Sequence, residues 1–216
     1  VKMLPKLARI SSFSPKNVSA APCQQFVEIE NPDLFSIPAL KCWPEDGGRY
    51  ITFGHIYSRN PVSNRRNVGL YRVQIFDSKT AGMHMHLHHD GAQNFLASSK
   101  EGKKMEMAIA LGGDPVLVYA ASAPLPPGID ELSLAGFLRR KSVELVKCKT
   151  VDVEVPASSD IVIEGYLNPG ELREEGPFGD HTGWYSLEDD YPVFHVTAIT
   201  RKENPIYPTT IVGKPP

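Results

Sequence analysis

The chain has 216 residues, of which 41% are hydrophobic and 22% are charged, and its formal net charge is −2. These are ordinary values for a globular protein that buries a sizeable core in one large or two small domains. The nearly balanced charge argues against a broad interface for nucleic acid or an anionic membrane. Three cysteines without a CxxC pair argue against a disulfide framework or a thiolate zinc site.

The sequence gives no sign of export. It has no apolar run long enough to span a bilayer and no opening signal peptide, so the sequon at residues 17–19 carries little weight. We expect a cytoplasmic location, with peripheral attachment to a membrane left open. Because the chain starts at Val1 and stops directly after a strand-like segment, we also expect a piece of a longer polypeptide.

Strand patterns dominate the chain. Residues 1–40 have scattered proline and serine with weak periodicity, and predict a lead-in segment that wraps the rest. Residues 83–88 alternate strictly, which predicts a strand with two different faces. A polar turn is predicted from Arg59 to Arg66. β-branched and aromatic residues predict further strands over 49–57, 68–76, 143–153, 161–167, 193–200 and 206–212.

Helix signals are fewer. Residues 92–101 predict a short helix. Asp114 suits an N-cap and Pro115 a first helical turn, so a helix is predicted over residues 116–122. The acidic pair at 130 and 131 opens another helix that includes residues 135–138. Since strands outnumber helices and short turns link them, we predict a mainly β, α+β fold that is barrel-like with inserted helices.

A loop rich in glycine and proline carries two carboxylates, Glu175 and Asp180. Such a loop can aim its side chains, because proline fixes φ and glycine allows unusual backbone conformations. Phe178 and Trp184 lie beside the acids in sequence, and desolvation by apolar neighbours raises the pKa of a carboxyl group. The loop therefore indicates an acid–base centre. The alternative is a turn whose acids cap a helix or pair with Arg173.

Four histidines, His84, His86, His88 and His89, form a candidate metal site. In a strand the first three share one face, and His89 lies on the other. Exposed histidines in alternating strands are common, so each can also be an ordinary surface residue. No HExxH or Cys/His zinc spacing accompanies them, and a mixed nitrogen and oxygen ligand set favours manganese or magnesium over zinc.

Arg72 falls in an apolar strand close to Asn67, which offers a neutral oxygen donor. An unpaired charge there is costly, so Arg72 requires a carboxylate from the protein or from a substrate. The alternative is a strand-end arginine paired with a surface acid. The nucleophile and phosphate motifs GxSxG, Walker A and GxGxxG are absent. The small, proline-rich residues 120–128 either let the backbone approach a flat cofactor or simply end a helix.

From about residue 38 onward the chain resembles the UbiD family of prenylated-flavin-dependent aromatic acid decarboxylases. The matching motifs are EDGGRYIT (45–52), RNVGLYR (66–72), GMH (82–84), HHDGA (88–92), ALGGDP (110–115), YAASAPLP (119–126), VPA to IEG (155–165) and EGPFGDHTG (175–183). The resemblance implies that residues 41–216 form the family's central domain, a split β-barrel of the flavin-reductase, FMN-binding type. The family's C-terminal domain is then missing.

The same resemblance implies the site residues. Manganese would be held by Asn67, His88 and Glu131, so that the other three histidines become ordinary residues. Potassium would bind near the backbone of residues 120–123 and Glu131. The catalytic residues would be Arg72, Glu175 and Asp180. The contacts to prenylated FMN would be made by Asn67, Leu70, Tyr71, Arg72, Leu87, His88, Ala121 and Ser122.

The function that the resemblance implies is a carboxy-lyase, which acts reversibly and without oxidation on a hydroxylated aromatic acid. Aspartate at position 180 is similar to members that act on hydroxylated benzoates, which suggests a prenylated substrate of ubiquinone or menaquinone biosynthesis. We expect a homo-oligomer at full length, a flavin prenyltransferase that supplies the cofactor, and an inactive isolated segment. Two alternatives stay open: a non-catalytic flavin-binding module and an ordinary FMN-dependent oxidoreductase.

Overall fold

The fold is mainly β, with helices packed on one large sheet. The computed structural model describes residues 13–85, 90–126 and 129–214. The helices of these residues are α1 (Asp90–Lys100), α2 (Pro115–Ser122) and α3 (Glu131–Arg139), and none is long and apolar enough to cross a membrane. The strands are β1 (Lys16–Val18), β2 (Phe26–Glu28), β3 (Arg49–Ile51), β4 (His55–Arg59), β5 (Arg66–Leu70), β6 (Val73–Ile75), β7 (Thr80–Met83), β8 (Met105–Leu111), β9 (Glu144–Lys147), β10 (Glu154–Pro156), β11 (Ile161–Glu175), β12 (Phe178–Gly179), β13 (Tyr185–Ser186) and β14 (Asp189–Arg201).

Nine of these strands form one sheet, and every neighbouring pair in it is antiparallel. Its order is β3–β6–β7–β14–β11–β8–β4–β5, and β2 pairs with the C-terminal end of β14. Strands β1, β9 and β10 form a second sheet, in which β1 and β9 are parallel. Strands β12 and β13 form a small ribbon.

Two very short connections force the large sheet to curl. Residues 52–54 join β3 to β4 and residues 71–72 join β5 to β6, although the strands of each pair lie six inter-strand steps apart. Six steps across a flat sheet span about 29 Å. Four Cα–Cα steps of extended chain reach at most about 14 Å. The two ends of the sheet must therefore lie close together, in an open curl.

The curl buries both faces of the central strands. In β8, Met107, Ile109 and Leu111 belong to the apolar cluster inside the curl, which also takes in Phe95 of α1. Ala108 and Ala110 of β8 belong to a second apolar cluster outside the curl, together with residues of α2, α3 and the β1–β9–β10 sheet. A strand that is buried on both faces has no polar alternation. This explains the unbroken apolar run at residues 107–111.

The predicted helices are confirmed, together with their caps. Asp114 accepts a hydrogen bond from the backbone N–H of Val116 at 3.1 Å, and Pro115 occupies the first turn of α2. Asp130 accepts from the N–H groups of residues 132 and 133 at the start of α3. The predicted helix at residues 92–101 corresponds to α1. These caps depend only on near neighbours in sequence, which is why the sequence reveals them.

Four predicted strands are interrupted or shorter than expected, and that at 143–153 is regular only in β9, at residues 144–147. The patterns at 49–57 and 68–76 each break where the chain crosses between the ends of the curled sheet, at residues 52–54 and 71–72. The predicted strand at 83–88 does not extend past Met83 within the described residues, where the N–H of Met85 turns back to the carbonyl of Met83 at 2.9 Å. Residues 86–89 lie outside the described residues.

The predicted strand at 206–212 is wrong. Its backbone groups bond to side chains instead of to a neighbouring strand. The hydroxyl of Thr52 donates to the carbonyl of Thr210 at 2.6 Å, and the indole N–H of Trp43 donates to the carbonyl of Val212 at 3.2 Å. Residues 206–212 therefore form an irregular strap across the sheet, although their β-branched composition is typical of a strand.

The predicted lead-in segment touches both sheets within its described part. Strand β1 pairs with β9, β2 pairs with β14, and Cys23 and Leu34 are fully buried. Residues 1–12 lie outside the described residues. The boundary at residue 40 between a lead-in and a central domain stays a prediction.

His55 is a fully buried histidine in β4. Its Nδ1 lies 2.8 Å from the hydroxyl of Tyr57, and its Nε2 lies 3.4 Å from the carbonyl of Gly112. Burial lowers the pKa of His55 from 6.5 to about 4, although the Gly112 carbonyl acts in the opposite direction. The folded protein therefore keeps this ring neutral. Below pH 6.5 the unfolded chain takes up the proton first, so acid favours unfolding.

We expect acid to lower the free energy of unfolding more in the wild type than in His55→Asn. Between pH 6.5 and 4.5 the extra loss should be about 2–3 kcal/mol, because each pH unit between the unfolded and folded pKa values is worth about 1.4 kcal/mol. Urea unfolding at the two pH values measures this loss. His195→Asn is the control, since His195 lies on the sheet surface. Equal losses in the wild type and the His55 variant would contradict the expectation.

Candidate active site

Buried side chains fix the loop that follows β11. The N–H of Gly176 donates to Oε1 of Gln74 at 2.8 Å, and the N–H of Gly179 donates to Oδ1 of Asp46 at 2.7 Å. The second oxygen of Asp46 accepts from two N–H groups of the preceding turn. Asp46 is only 2% exposed. The stiffness that the sequence predicts for this loop is thus reinforced by residues far away along the chain.

The loop lies very close to the turn before β3. The N–H of Gly47 donates to the carbonyl of Pro177 at 2.7 Å. A Cβ atom on Gly47 would overlap the carbonyl of Gly176, so only glycine permits this approach. Gly176 itself has a φ of +110°, a region that favours glycine. The two glycine-containing motifs therefore depend on each other.

Arg72 and Glu175 form a buried, two-pronged ion pair. The Nε and Nη2 atoms of Arg72 donate to the two oxygens of Glu175, both at 2.8 Å. The side chain of Glu175 is fully buried and that of Arg72 is 10% exposed. Arg72 thus has the carboxylate partner that its apolar setting requires. The alternative of a surface acid as its partner is wrong.

Four further side chains surround this pair. Ser186 lies 3.1 Å from Nη2 of Arg72, and the guanidinium stacks on the ring of Phe178 at 4.5 Å. Nδ1 of His84 lies 3.1 Å from Oε2 of Glu175. The ring of His84 packs on that of Tyr191, with 4.1 Å between the centroids.

The pKa of Glu175 is shifted in the direction opposite to the expected one. Burial acts to raise it, but the hydrogen bonds from His84 and Arg72 and the charge of Arg72 outweigh burial and hold the pKa below its usual value. Glu175 is therefore ionised at neutral pH. The expectation of a raised pKa at this position is wrong.

Asp180 has partners of a different kind. Its Oδ1 accepts from the N–H of His181 at 2.6 Å and lies 2.9 Å from Nδ1 of the same residue. Partial burial acts to raise the pKa of Asp180, but the bonds to His181 and the charges of His181 and Arg72 lower it below its usual value. A raised pKa is wrong here too. Trp184, which was expected to desolvate the acids, is 77% exposed.

Arg173 takes no part in this cluster. Its guanidinium stacks on Phe76 at 4.1 Å and lies 3.9 Å from a carboxylate oxygen of Asp77. The alternative in which the loop acids pair with Arg173 is therefore wrong. Neither acid caps a helix, since the loop joins β11 to the small β12–β13 ribbon.

A cavity of about 820 Å³ lies on the other side of the Tyr71–Arg72 connection. Residues from β5, α1, the end of α2 and the start of α3 line it. Six of the predicted cofactor or metal residues line this one cavity: Asn67, Leu70, Tyr71, Ala121, Ser122 and Glu131.

Two buried donors in the lining lack a hydrogen-bond partner among the described residues. They are Nε of Arg66 and Nδ2 of Asn67. The guanidinium of Arg66 also bonds to Asp130 at 2.8 Å through Nη1. Buried donors without partners are costly, so a cavity with two of them suits a ligand with strong acceptor oxygens.

Leu87 and His88, which the resemblance assigns to the cofactor and the metal, lie outside the described residues. In the part of the chain that the structure does describe, no three residues among histidine, cysteine, aspartate and glutamate come close enough to hold a metal. The assignment of Asn67, His88 and Glu131 as metal ligands stays a prediction.

Comparison with known proteins decides the family. Residues 16–215 match the UbiD family, described as the 3-octaprenyl-4-hydroxybenzoate carboxy-lyase Rift-related domain. The chain belongs to the UbiD family. A relative from Aquifex aeolicus is 51% identical over 217 residues, which is all of this chain and 45% of the relative. This UbiD chain thus spans about half the length of the relatives it matches.

Two solved UbiD-class structures are similar throughout. One is an evolved dimeric form of the enzyme HmfF from Pelotomaculum thermopropionicum in complex with prFMN, with 37% identity and a TM-score of 0.90 over 97% of this chain and 50% of that one. The other is the closed form of the vanillic acid decarboxylase of Sedimentibacter hydroxybenzoicus, with 29% identity and a TM-score of 0.90 over 97% of this chain and 47% of that one.

Sequence reasoning missed three residues that hold the candidate site together, since it gave Asp46 and Gln74 no role and considered His84 only as a metal ligand. Asp46 and Gln74 fix the loop, and His84 contacts Glu175. Asp46 lies in the EDGG motif and His84 in the GMH motif, so their place in the motifs was the available signal. Their partners lie far away along the chain, and sequence spacing does not reveal such contacts.

Loss of Glu175 should destabilise the fold by about 3–5 kcal/mol, because it leaves the charge of Arg72 buried without its partner. Chemical unfolding of Glu175→Ala measures this effect. The matched control is Glu174→Ala, which removes an exposed neighbour and should change stability by no more than about 0.5 kcal/mol. Adding Arg72→Met to Glu175→Ala should recover part of the loss. Equal effects of the two glutamate variants would contradict a buried pair.

Proposed function

We propose that this chain forms the cofactor and acid–base part of a UbiD-class carboxy-lyase that removes CO2 from an aromatic acid. One observation carries the proposal. Tyr71 lines the cavity, whose buried donors lack partners among the described residues, and the next residue, Arg72, forms the buried pair with Glu175. The family match and the similarity to enzymes with prFMN or vanillic acid in their names support it.

The cavity fits a phosphate-bearing flavin. Its volume of about 820 Å³ falls in the usual range for cofactor sites, roughly 300–1,000 Å³. Arg66 and Asn67 offer buried donors to phosphate oxygens, and Leu70 and Tyr71 offer apolar surface to a ring system. Tyr71 continues directly into Arg72, so the ring would lie next to the ion pair. We also propose that the curled sheet is a split β-barrel of the flavin-reductase type.

The cavity also offers donors for cations. We assign manganese to Asn67 and Glu131, which line the cavity, with His88 as the third ligand. Amide, carboxylate and imidazole donors suit manganese or magnesium. Potassium is assigned to the backbone of residues 120–123 and to Glu131, since hard cations prefer oxygen ligands.

When bound, prenylated FMN would supply an electrophilic ring that accepts electron density as the bond to CO2 breaks. Arg72 would orient the substrate carboxylate through its guanidinium, and Glu175 would stay ionised beside it. Asp180 would deliver the proton that replaces CO2 on carbon. For this role the carboxyl group of Asp180 must first take up a proton. Release from His181 and exclusion of water by the substrate would both raise its pKa.

The substrate class that we propose is a hydroxylated aromatic acid, with a prenylated hydroxybenzoate of quinone biosynthesis as the narrower case. The description of the matched family and the aspartate at position 180 support it. We also propose that the full-length protein assembles into a homo-oligomer in the cytoplasm. A flavin prenyltransferase would supply its cofactor.

Asp180→Asn in the full-length protein should bind prenylated FMN normally and lose turnover by about 10²–10⁴-fold, because it removes the proton donor. Steady-state assay of CO2 release and the flavin absorbance after desalting measure the two effects. Asp152→Asn, which removes an exposed carboxylate, should change neither. Turnover within about tenfold of the wild type would contradict the role of Asp180. Reduction of the flavin by NADH would favour an ordinary oxidoreductase instead.

Glu131→Ala and Asn67→Leu should each weaken manganese-dependent retention of prenylated FMN by at least about tenfold. Each change removes an oxygen donor from the cavity. Flavin absorbance and bound manganese after desalting, with and without added manganese, measure this. Glu144→Ala, at an exposed carboxylate, is the control. Unchanged retention in both cavity variants would contradict the metal assignment.

A further inference from the structure

His84 contacts Glu175 from a position fixed by its surroundings. It follows β7 directly, its N–H donates to the carbonyl of Arg72 at 3.2 Å, and its ring packs on Tyr191. Its side chain is 11% exposed. The Nδ1 atom lies 3.1 Å from Oε2 of Glu175. The backbone of His84 therefore contacts Arg72, and its side chain contacts Glu175.

The hydrogen-bond inventory fixes which atom donates. An ionised carboxylate only accepts, so Nδ1 of His84 must carry a proton. Oε1 of Glu175 accepts from Nε of Arg72, while Oε2 accepts from Nη2 of Arg72 and from His84. Among the described residues, Glu175 thus has one hydrogen-bond partner besides Arg72, namely His84.

We propose that His84 is a positioning residue that holds Glu175 ionised and in place while Arg72 engages the substrate carboxylate. The inference rests on the proposed function, in which Arg72 serves both carboxylates. As the guanidinium turns toward a substrate, its bonds to Glu175 weaken. A fully buried carboxylate without donors would then take up a proton or move. The donor on His84 prevents both.

The other groups near Glu175 do not take over this task. Burial raises the pKa values of Tyr50 and Tyr191, and the charge of Glu175 adds to this rise. Tyr50 is committed to Gln74 at 3.0 Å. Asp189 lies opposite Glu175 in the strand register and carries the same charge sign. Arg72 and His84 are therefore the groups around Glu175 that stabilise its charge.

Two substitutions separate positioning from packing. His84→Leu keeps the bulk and removes the donor, whereas His84→Asn places an amide N–H near the position of Nδ1. His195→Leu is the matched control, because His195 also bonds a glutamate, Glu171 at 2.8 Å, and stacks on a tyrosine away from this site. Thermal unfolding of all three variants identifies any that fail to fold.

The first readout needs neither cofactor nor activity. Nitrogen-15 NMR of the histidine rings in this chain, assigned by the signal lost in His84→Leu, should show a proton on Nδ1 of His84. Glu175→Gln should alter that signal, and Glu171→Gln should not. A ring of His84 that is neutral and protonated only on Nε2 would overturn the inference.

The second readout is the pH profile of the full-length enzyme. In His84→Leu the acid limb of kcat/KM should move up by about one pH unit, because loss of a donor to a charged group raises the pKa of Glu175. Its kcat should fall about 10- to 100-fold. His84→Asn should recover part of both effects. Equal profiles for the wild type and His84→Leu, or equal defects in the Leu and Asn variants, would overturn the inference.

The two readouts keep this inference apart from the proposed function. A proton on Nδ1 together with a wild-type protein that releases no CO2 from any aromatic acid would reject the decarboxylase and, with it, the catalytic part of the inference. An active wild type with an unchanged His84→Leu profile would reject the role of His84 alone.

Discussion

The two short crossings between the ends of the large sheet constrain the rest of this structure. Because residues 52–54 and 71–72 must each bridge the sheet's two ends, the sheet curls and encloses an apolar interior. The second crossing consists of only Tyr71 and Arg72. Arg72 lies outside the regular strands, and only 10% of its side chain is exposed. It must find its partner inside, at the end of β11.

The crossing also separates two chemical environments by a single peptide bond. Before it, β5, the end of α2 and the start of α3 line a polar cavity whose buried donors on Arg66 and Asn67 lack partners among the described residues. After it, Arg72 and Glu175 form a fully paired ion pair among aromatic rings. A fixed, buried ion pair provides an oriented electric field without reorganisation by water, which is a general requirement for stabilising charge in a transition state. The geometry of the curl thus accounts for the location of the site.

The sequence alone predicted the features that depend on near neighbours. The caps of α2 and α3 come from Asp114 and Asp130, within three residues of the groups they bind. The curl was not predictable from periodicity, because strand-like residues run on both sides of each crossing. The strap at 206–212 looks like a strand, yet its backbone is satisfied by Thr52 and other side chains more than 150 residues away. Such long-range contacts leave no local pattern.

The candidate site likewise combines features that the sequence predicted with features that depend on long-range contacts. The motifs identified its residues through a family resemblance, but the raised pKa values expected from apolar neighbours in sequence were wrong. Phe178 and Trp184, close in sequence, suggested desolvated acids. His84 and Arg72, which lie 91 and 103 residues before Glu175, hold that acid ionised. Electrostatics depends on distance in space, so neighbours in sequence are a poor guide to a pKa.

The two carboxylates are held in different ways, and this difference agrees with the roles proposed for them. Glu175 is fully buried and bound by donors on three sides, so it cannot easily turn or take up a proton. Asp180 is one-third exposed and bonded to His181, whose side chain is 77% exposed. Gly213 of the strap region lies against the backbone of residues 180 and 181, with a φ of +71°. An acid that gains and loses a proton in each cycle needs an accessible partner, and the exposed His181 beside Asp180 agrees with the role proposed for it.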